Sequence, residues 1–397
     1  MNLLRRVVAL VALVLIAGGA SACGTSTEPS SPPDPGNSRF PLLSNGGGHM
    51  LSPLRLVTIV AANDPLRDSL FAFTRALPSS QWWKAVATPY GISTTATAVT
   101  VTGPKIASGT NFAFNDLTTY VQRAAIDSAG YRPDGHTVYL IYLPPGVHCT
   151  TGSSCPTYSA SGFHVQFGAS DALAVVARQS GSVPAMELTT ETASHEIIEA
   201  ATDPLLNAWR LVGSSLPWNS SPWALDDGGN FEENGDMCVG TRYLESGFYY
   251  QRIFSNQAAV TGDDPCVPSI ATPYYSVAPD KGWYSTTTGE VTVPITGWSV
   301  GAVPDWVIGL GAGPHTPSVG APSFSLSCPD TARINGGRYC ALNNGRTAML
   351  HVSLPPGSLS KTYFTVQITS FRYGASGGYP VAGEDYFHHW IFGVYVP

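Results

Sequence analysis

The chain has 397 residues, a net charge of −7 and only 12 % charged residues, with 41 glycines and 32 prolines. Lysine occurs four times, which argues against the clustered basic surface that a nucleic-acid partner needs. A chain of this length exceeds one ordinary core, so two domains are expected, and the turn-rich, aromatic composition points to a β-rich extracellular protein.

The N-terminus carries Arg5 and Arg6, an apolar run from Val7 to Ile16, small residues from Ala17 to Ala22, and then Cys23. That order is a secretion signal, too short for a spanning helix. The cysteine after Ala20-Ser21-Ala22 fits a lipobox, although Ala20 stands where leucine is usual. Residues 1–23 are therefore read as a lipoprotein signal, with membrane attachment through a lipid at Cys23 alone. The other reading is a secreted protein cut near Ala22. Residues 24–48 are rich in Ser, Pro, Thr and Gly and read as a flexible linker.

Residues 49–268 alternate strand and helix patterns. Leu54 to Ala62 is a β-branched apolar run. Leu66, Leu70, Phe71, Phe73 and Leu77 then give a helix an apolar face after the Asn63-Asp64-Pro65 start signal. Ala98 to Thr102 is a second strand, and Asn115 or Asp116 caps a helix that ends at Gly130. His136–Leu143, Phe163–Phe167 and Ala172–Ala177 are further strands, and a helix from Leu188 to Thr202 stops before Pro204. The expected fold is an α/β layered domain with a mixed sheet and an active-site helix, in the element order of zincin metalloproteases. From 269 to 397 no helix pattern remains. Short apolar runs at 290–295, 306–310, 348–354, 363–369 and 390–396 predict an all-β sandwich.

With Cys23 lipidated, six cysteines remain, an even count that reads as disulfides in an exported protein. Proximity in sequence favours Cys149–Cys155, Cys238–Cys266 and Cys328–Cys340 among the connectivities open to six cysteines.

The chemistry is concentrated in His195-Glu196-Ile197-Ile198-Glu199. Residues four apart share a helix face at a separation of about 6 Å, so His195 and Glu199 can hold one cation. Glu196 is turned about 100° away and can act as the base toward a water on that cation. This is the logic of His-Glu-x-x-His with glutamate replacing the second histidine. The acidic stretch from Asp226 to Cys238 supplies the missing ligands, Asp236 first and Glu233 second, although it also has the composition of a calcium loop. His164, on a strand pattern, is a further ligand, an oxyanion stabiliser or a structural histidine. Asp203 reads as a helix-end group. The cation is expected to be Zn2+, with Mn2+ or Ca2+ open because the set is poor in nitrogen.

Residues about 45 to 266 resemble the EXORDIUM (phosphate-induced protein) family of plant extracellular proteins and their bacterial relatives. The resembling features are Gly46-Gly47-Gly48, Trp82-Trp83, the Cys149/Cys155 pair near Gly162-Phe163-His164, the run from His195 through Trp209, Glu233-Asn-Gly-Asp236-Met-Cys238, and Cys266. The resemblance implies that His195, Glu196, Glu199, Glu233 and Asp236 belong to one site. Two functions fit. One is an exported metal-dependent hydrolase of peptidase type, acting on a protein, a peptide or a cell-wall polymer. The other is a non-catalytic surface binding or adhesion protein with a structural cation.

Overall fold

The structure is a computed structural model that describes residues 42–151, 162–178, 185–210, 233–271, 274–279, 283–300, 306–312, 320–327, 333–334, 339–341, 347–357, 362–372 and 387–397. The signal region, Cys23, Cys155, Cys328 and the acidic residues 226–232 lie outside the described residues.

The linker expected to run to residue 48 ends earlier. Leu43 is buried, and Ser44–Asn45 (β1) pairs with Trp209–Arg210 (β9). Gly48 lies so close to Asn207 that a Cβ there would stand 1.9 Å from its Oδ1, so only glycine fits. The run Gly46-Gly47-Gly48 is thus a close backbone contact, not slack chain.

A five-stranded sheet forms the centre of the first region. Its strands are Arg55–Ala61 (β2), Thr97–Gly103 (β3), Thr137–Tyr142 (β5), Gly162–Phe167 (β7) and Asp171–Val176 (β8), in the order β3-β2-β5-β8-β7. The first four in that order are parallel, and β7 is an antiparallel edge strand. The central strands β5 and β8 are apolar at nearly every position because both sheet faces are covered. Val57, Ile59, Tyr139, Ile141, Leu173 and Val175 pack on one side with Leu117, Val121 and Ala125. Those last residues come from helix α3 (Phe114–Val121) and the π-helical turn Gln122–Ser128 that continues it. On the other side, Leu56, Val60, Val138, Leu140, Ala172 and Ala174 pack with α1 (Arg67–Ala76), α2 (Gln81–Ala87) and α4 (Ala185–Thr202). Two short strands, Asn111–Ala113 (β4) and His148–Thr151 (β6), pair beside this core.

Helix α4 is buried at most of its positions, including Glu191, Glu196 and Glu199, not along one face as expected. The cover is an unanticipated hairpin, Arg242–Glu245 (β10) and Phe248–Gln251 (β11). Its turn, Ser246-Gly247, has φ of +53° and +83°, the positive pair that a tight two-residue hairpin requires. The hairpin also caps the start of α2, a helix that periodicity missed. The Glu245 carboxylate accepts from the amides of Gln81 and Trp82 at 2.8 and 3.0 Å, and Ser80 Oγ accepts from Trp83 at 2.9 Å.

Ile253–Phe254 (β12) and Cys266–Val267 (β13) pair after α5 (Asn256–Thr261) is inserted between them. Cys238 and Cys266 are disulfide-bonded, the expected pair, with Cα atoms 5.9 Å apart. This closes a loop that contributes about 3–4 kcal/mol through the unfolded state. Cys149 is also disulfide-bonded, and its expected partner lies outside the described residues.

The second region is built of strands. Tyr275–Pro279 (β14), Glu290–Ser299 (β16), Thr347–Ser353 (β21) and Ser323–Ser327 (β18) form an antiparallel sheet. Trp283–Ser285 (β15), Phe387–Val396 (β23), Thr362–Arg372 (β22), Trp306–Ala312 (β17), Tyr339–Ala341 (β20) and Arg333–Ile334 (β19) form another, with β15 and β23 parallel. Strand β21 alternates exposed and buried positions. Val293, Ile295, Leu350 and Val352 from the first sheet share an apolar cluster with Phe364, Val366, Ile368, Phe392 and Val394 from the second. Trp283 is packed on Tyr363, and a Cβ at Gly393 would stand 2.1 Å from its ring, so this tryptophan belongs to the core.

Candidate metal centre

Strand alternation aims His164 at α4. Its neighbours Phe163 and Val165 pack into the opposite cluster, while His164 pairs across the sheet with Ala174, on the α4 side. Helix α4 supplies His195, Glu196 and Glu199. The loop closed by Cys238 supplies Glu233 and Asp236, and Asp236 Oδ2 accepts from the Glu233 amide at 2.9 Å. Asn234 holds the loop to the helix by donating to Thr202 Oγ1 at 3.1 Å.

These six side chains converge. His195 Nε2 lies 3.0 Å from Glu199 Oε2 and 3.5 Å from Asp236 Oδ1. His164 Nδ1 lies 3.7 Å from both Glu196 Oε2 and Glu199 Oε2, and its Nε2 lies 3.6 Å from Glu233 Oε1. Two triads have ligand-type atoms close enough for one ion each: His195, Glu199 and Asp236, and His164, Glu196 and Glu199. Glu196 was expected to stand free beside the cation. Instead it is lodged between His164 and the backbone of β7, where a Cβ at Gly162 would come within 2.6 Å of its Oε1. Asp203 lies at the helix end, where its carboxylate accepts from the amides of Asn207 and Ala208 at 2.5 and 2.6 Å.

Gln251 lies beside the cluster, although no motif in the sequence marks it. Its amide donates to Ser194 Oγ at 2.8 Å, and its carbonyl accepts from Trp82 Nε1 at 2.6 Å. Its side-chain NH2 donates to the Gly235 carbonyl at 2.7 Å, which turns its Oε1 toward His195 Nδ1, 3.1 Å away. His195 then donates from Nδ1 and turns Nε2 to the Glu199 carboxylate, and although burial opposes its charge, Glu199 raises the imidazole pKa well above its usual value. Two lone pairs at that distance need a cation or a proton between them. An oxygen acceptor behind the histidine is the usual outer support of a metal ligand. A Cβ at Gly235 would lie 2.6 Å from Glu199 Oε1, so a larger residue there would push that carboxylate aside. Only the Ser246-Gly247 turn signal in the sequence pointed to this hairpin.

Burial sets the electrostatics. It raises the carboxyl pKa of Glu196, and that of Glu233 further still. Burial, with Glu199 beside it, pushes Asp236 up to about 8, though the 28 % of its side chain left exposed softens that push. Burial opposes ionisation of Glu199 too, but His195 outweighs it and holds that carboxyl below its usual value. Burial alone would lower His164, yet Glu233, Glu196 and Glu199 overcome it and push the imidazole up to about 10. Without a cation, the cluster therefore retains protons. Glu199 Oε1 and Glu233 Oε1 are buried with no hydrogen-bond partner. Groups of His, Glu and Asp that could hold a metal ion are thus present, and the donor set fits a divalent cation.

No family model matches the chain, and no curated protein matches it.

Proposed function

We propose that residues 49–268 are a metal-dependent hydrolase domain of zincin-like, peptidase type. On this reading the protein is exported, tethered through Cys23, and acts on a protein, peptide or cell-wall polymer outside the cell. The observation that carries the reading is the chain Gly235 carbonyl–Gln251–His195, which leaves His195 Nε2 facing Glu199 at 3.0 Å with Asp236 alongside. Support for the fold comes from four parallel strands, an antiparallel edge strand and then a His-Glu-x-x-Glu helix on one sheet face. The same residues carry the resemblance to the EXORDIUM family, which we keep as part of the proposal.

His195, Glu199 and Asp236 would hold a divalent cation, zinc in the first instance, which would polarise a carbonyl and acidify a water. Glu196, one residue along the helix, is the proton acceptor. Burial holds its pKa up, toward the range where a carboxylate both takes and returns a proton. His164 faces Glu196 and orients it. Asp236 and His195 form the mouth, since their side chains keep 28 % and 15 % of their surface exposed.

One observation favours a second reading, a structural cation in a surface binding protein. His164, Glu196 and Glu199 are each at least nine-tenths buried, which narrows access for a substrate. The test is metal analysis of the 24–397 chain with His195→Ala as control, followed by Glu196→Gln assayed on a peptide library. The hydrolase reading expects metal in the wild type, loss of the ion held by His195, Glu199 and Asp236 in His195→Ala, and Glu196→Gln that keeps that ion but not turnover. A metal-loaded wild type as inactive as Glu196→Gln would favour the structural reading.

A further inference from the structure

We infer that the cluster takes two divalent cations, with the Glu199 carboxylate shared between them. The inference rests on the metal-site reading above and extends it to a second pocket, formed by His164, Glu196 and Glu199. Three observations carry it.

The first is geometric. The two ligand triads have different histidines, from β7 and α4, and meet at Glu199. Glu199 Oε2 lies 3.0 Å from His195 Nε2 and 3.7 Å from His164 Nδ1, so one carboxylate serves both imidazoles. Carboxylates fill this role in two-metal hydrolytic sites, whose ions are about 3.5–4 Å apart. Glu199 Oε1, buried and without a hydrogen bond, leaves the second oxygen free for coordination.

The second is the outer support. Each histidine has its own oxygen acceptor on the ring nitrogen turned away from its triad. For His195 this is Gln251 Oε1 at 3.1 Å, and for His164 it is the Asp203 carbonyl at 3.4 Å, with Glu233 Oε1 on the same side. Both rings therefore present their other nitrogen to carboxylate oxygens, the arrangement of a supported metal ligand.

The third is charge. Glu196, Glu199, Glu233 and Asp236 bring four negative charges, and their ion-pair partners among the described residues are the two histidines. One divalent cation with neutral imidazoles offsets two of those charges and leaves the other two carboxylates to hold protons. Two divalent cations offset all four. The mixed nitrogen and oxygen donors suit Zn2+ or Mn2+ in both pockets. Glu196 therefore serves proton transfer while the second pocket is empty and coordination once that pocket fills.

The test is a metal count on chelator-stripped full-length mature chain dialysed against Mn2+ or Zn2+, together with the electron paramagnetic resonance of the Mn2+ form. The expected result is two ions per wild-type chain with an exchange-coupled Mn2+ signal, and one uncoupled ion in each of His195→Ala and His164→Ala. One ion in the wild type, lost in His195→Ala and kept in His164→Ala, would overturn the second pocket and leave the hydrolase site standing. One ion lost in both variants means a single shared ion and also overturns it. Two ions that survive both substitutions lie elsewhere and sink the inference. No bound ion removes the inference and the metal-site reading together. The wild-type count and coupling need no variant, so a misfolded substitution does not weaken the test.

Discussion

The two regions of the molecule bury very different side chains. Among the described residues, the strand-built region from 274 onward buries polar groups only as Ser276, Thr286, Thr365 and Ser370, none of them charged. The region before it buries Asp64, Asp171, Glu191, Glu196, Glu199, Asp203, Glu233, Arg252 and Asp264. Most of these have a plain structural partner. Asp64 meets Arg178 at 2.7 Å, Glu191 meets Arg242 at 2.7 Å and Asp264 meets Arg252 at 2.5 Å. Asp171 and Asp203 accept from backbone amides. Among the described residues, Glu196, Glu199 and Glu233 form ion pairs only with the two histidines, and Glu199 also accepts from the Asp236 amide. Buried ionisable groups without structural partners are the mark of a site, and the second region has none among its described residues.

The comparison can be broken in four ways. The largest effect comes from metal. Saturating metal at a thousand times its dissociation constant stabilises the fold by about 4 kcal/mol, so chelation lowers the melting temperature measured by calorimetry. The gap between loaded and stripped protein widens as pH rises. In the stripped protein, Asp236 is raised from 3.8 to about 8 and His164 from 6.5 to about 10. Both contributions favour the protonated form, are complete below the unfolded values and are lost as pH climbs through the folded ones. Metal affinity moves the opposite way, since the ligands must shed protons. A gap that narrows from pH 6 to 9 would contradict this assignment.

Phe364→Ala, in the second region, costs about 3–4 kcal/mol in denaturant unfolding yet leaves metal affinity unchanged. A change in affinity would mean that the regions are not energetically separate. Gln251→Ala comes next. Loss of the group that orients His195 weakens metal binding by about 10–100-fold in a competitive chelator titration, while secondary structure persists. Affinity within a factor of two of wild type would remove Gln251 from the site. Glu245→Ala is the smallest, about 1 kcal/mol of stability, because α2 loses its carboxylate cap but the metal ligands are untouched.

Much of the first region was legible. Strands β2, β3, β5 and β8 and helix α4 fall within a few residues of their expected spans, because buried strands and helix stop signals are written locally. The hairpin β10–β11 and helix α2 were not legible. Trp82 and Trp83 do not favour a helix, and α2 forms because a carboxylate 163 and 164 residues away caps it. In the second region five expected runs became β16, β17, β21, β22 and β23, while short strands such as β15, β19 and β20 carry too few residues to show a period.

The amino-acid order alone determined that an imidazole and a carboxylate share a turn of α4, since residues four apart on a helix must be neighbours. It also brought Cys238 and Cys266 forward as a pair. Which histidine tautomer faces Glu199, where Glu196 points and that His164 joins the cluster were decided only in three dimensions. Those outcomes depend on Gly235, Gln251 and β7 approaching α4 from distant parts of the chain, and no local pattern encodes the distance between groups that only the packed sheet brings together.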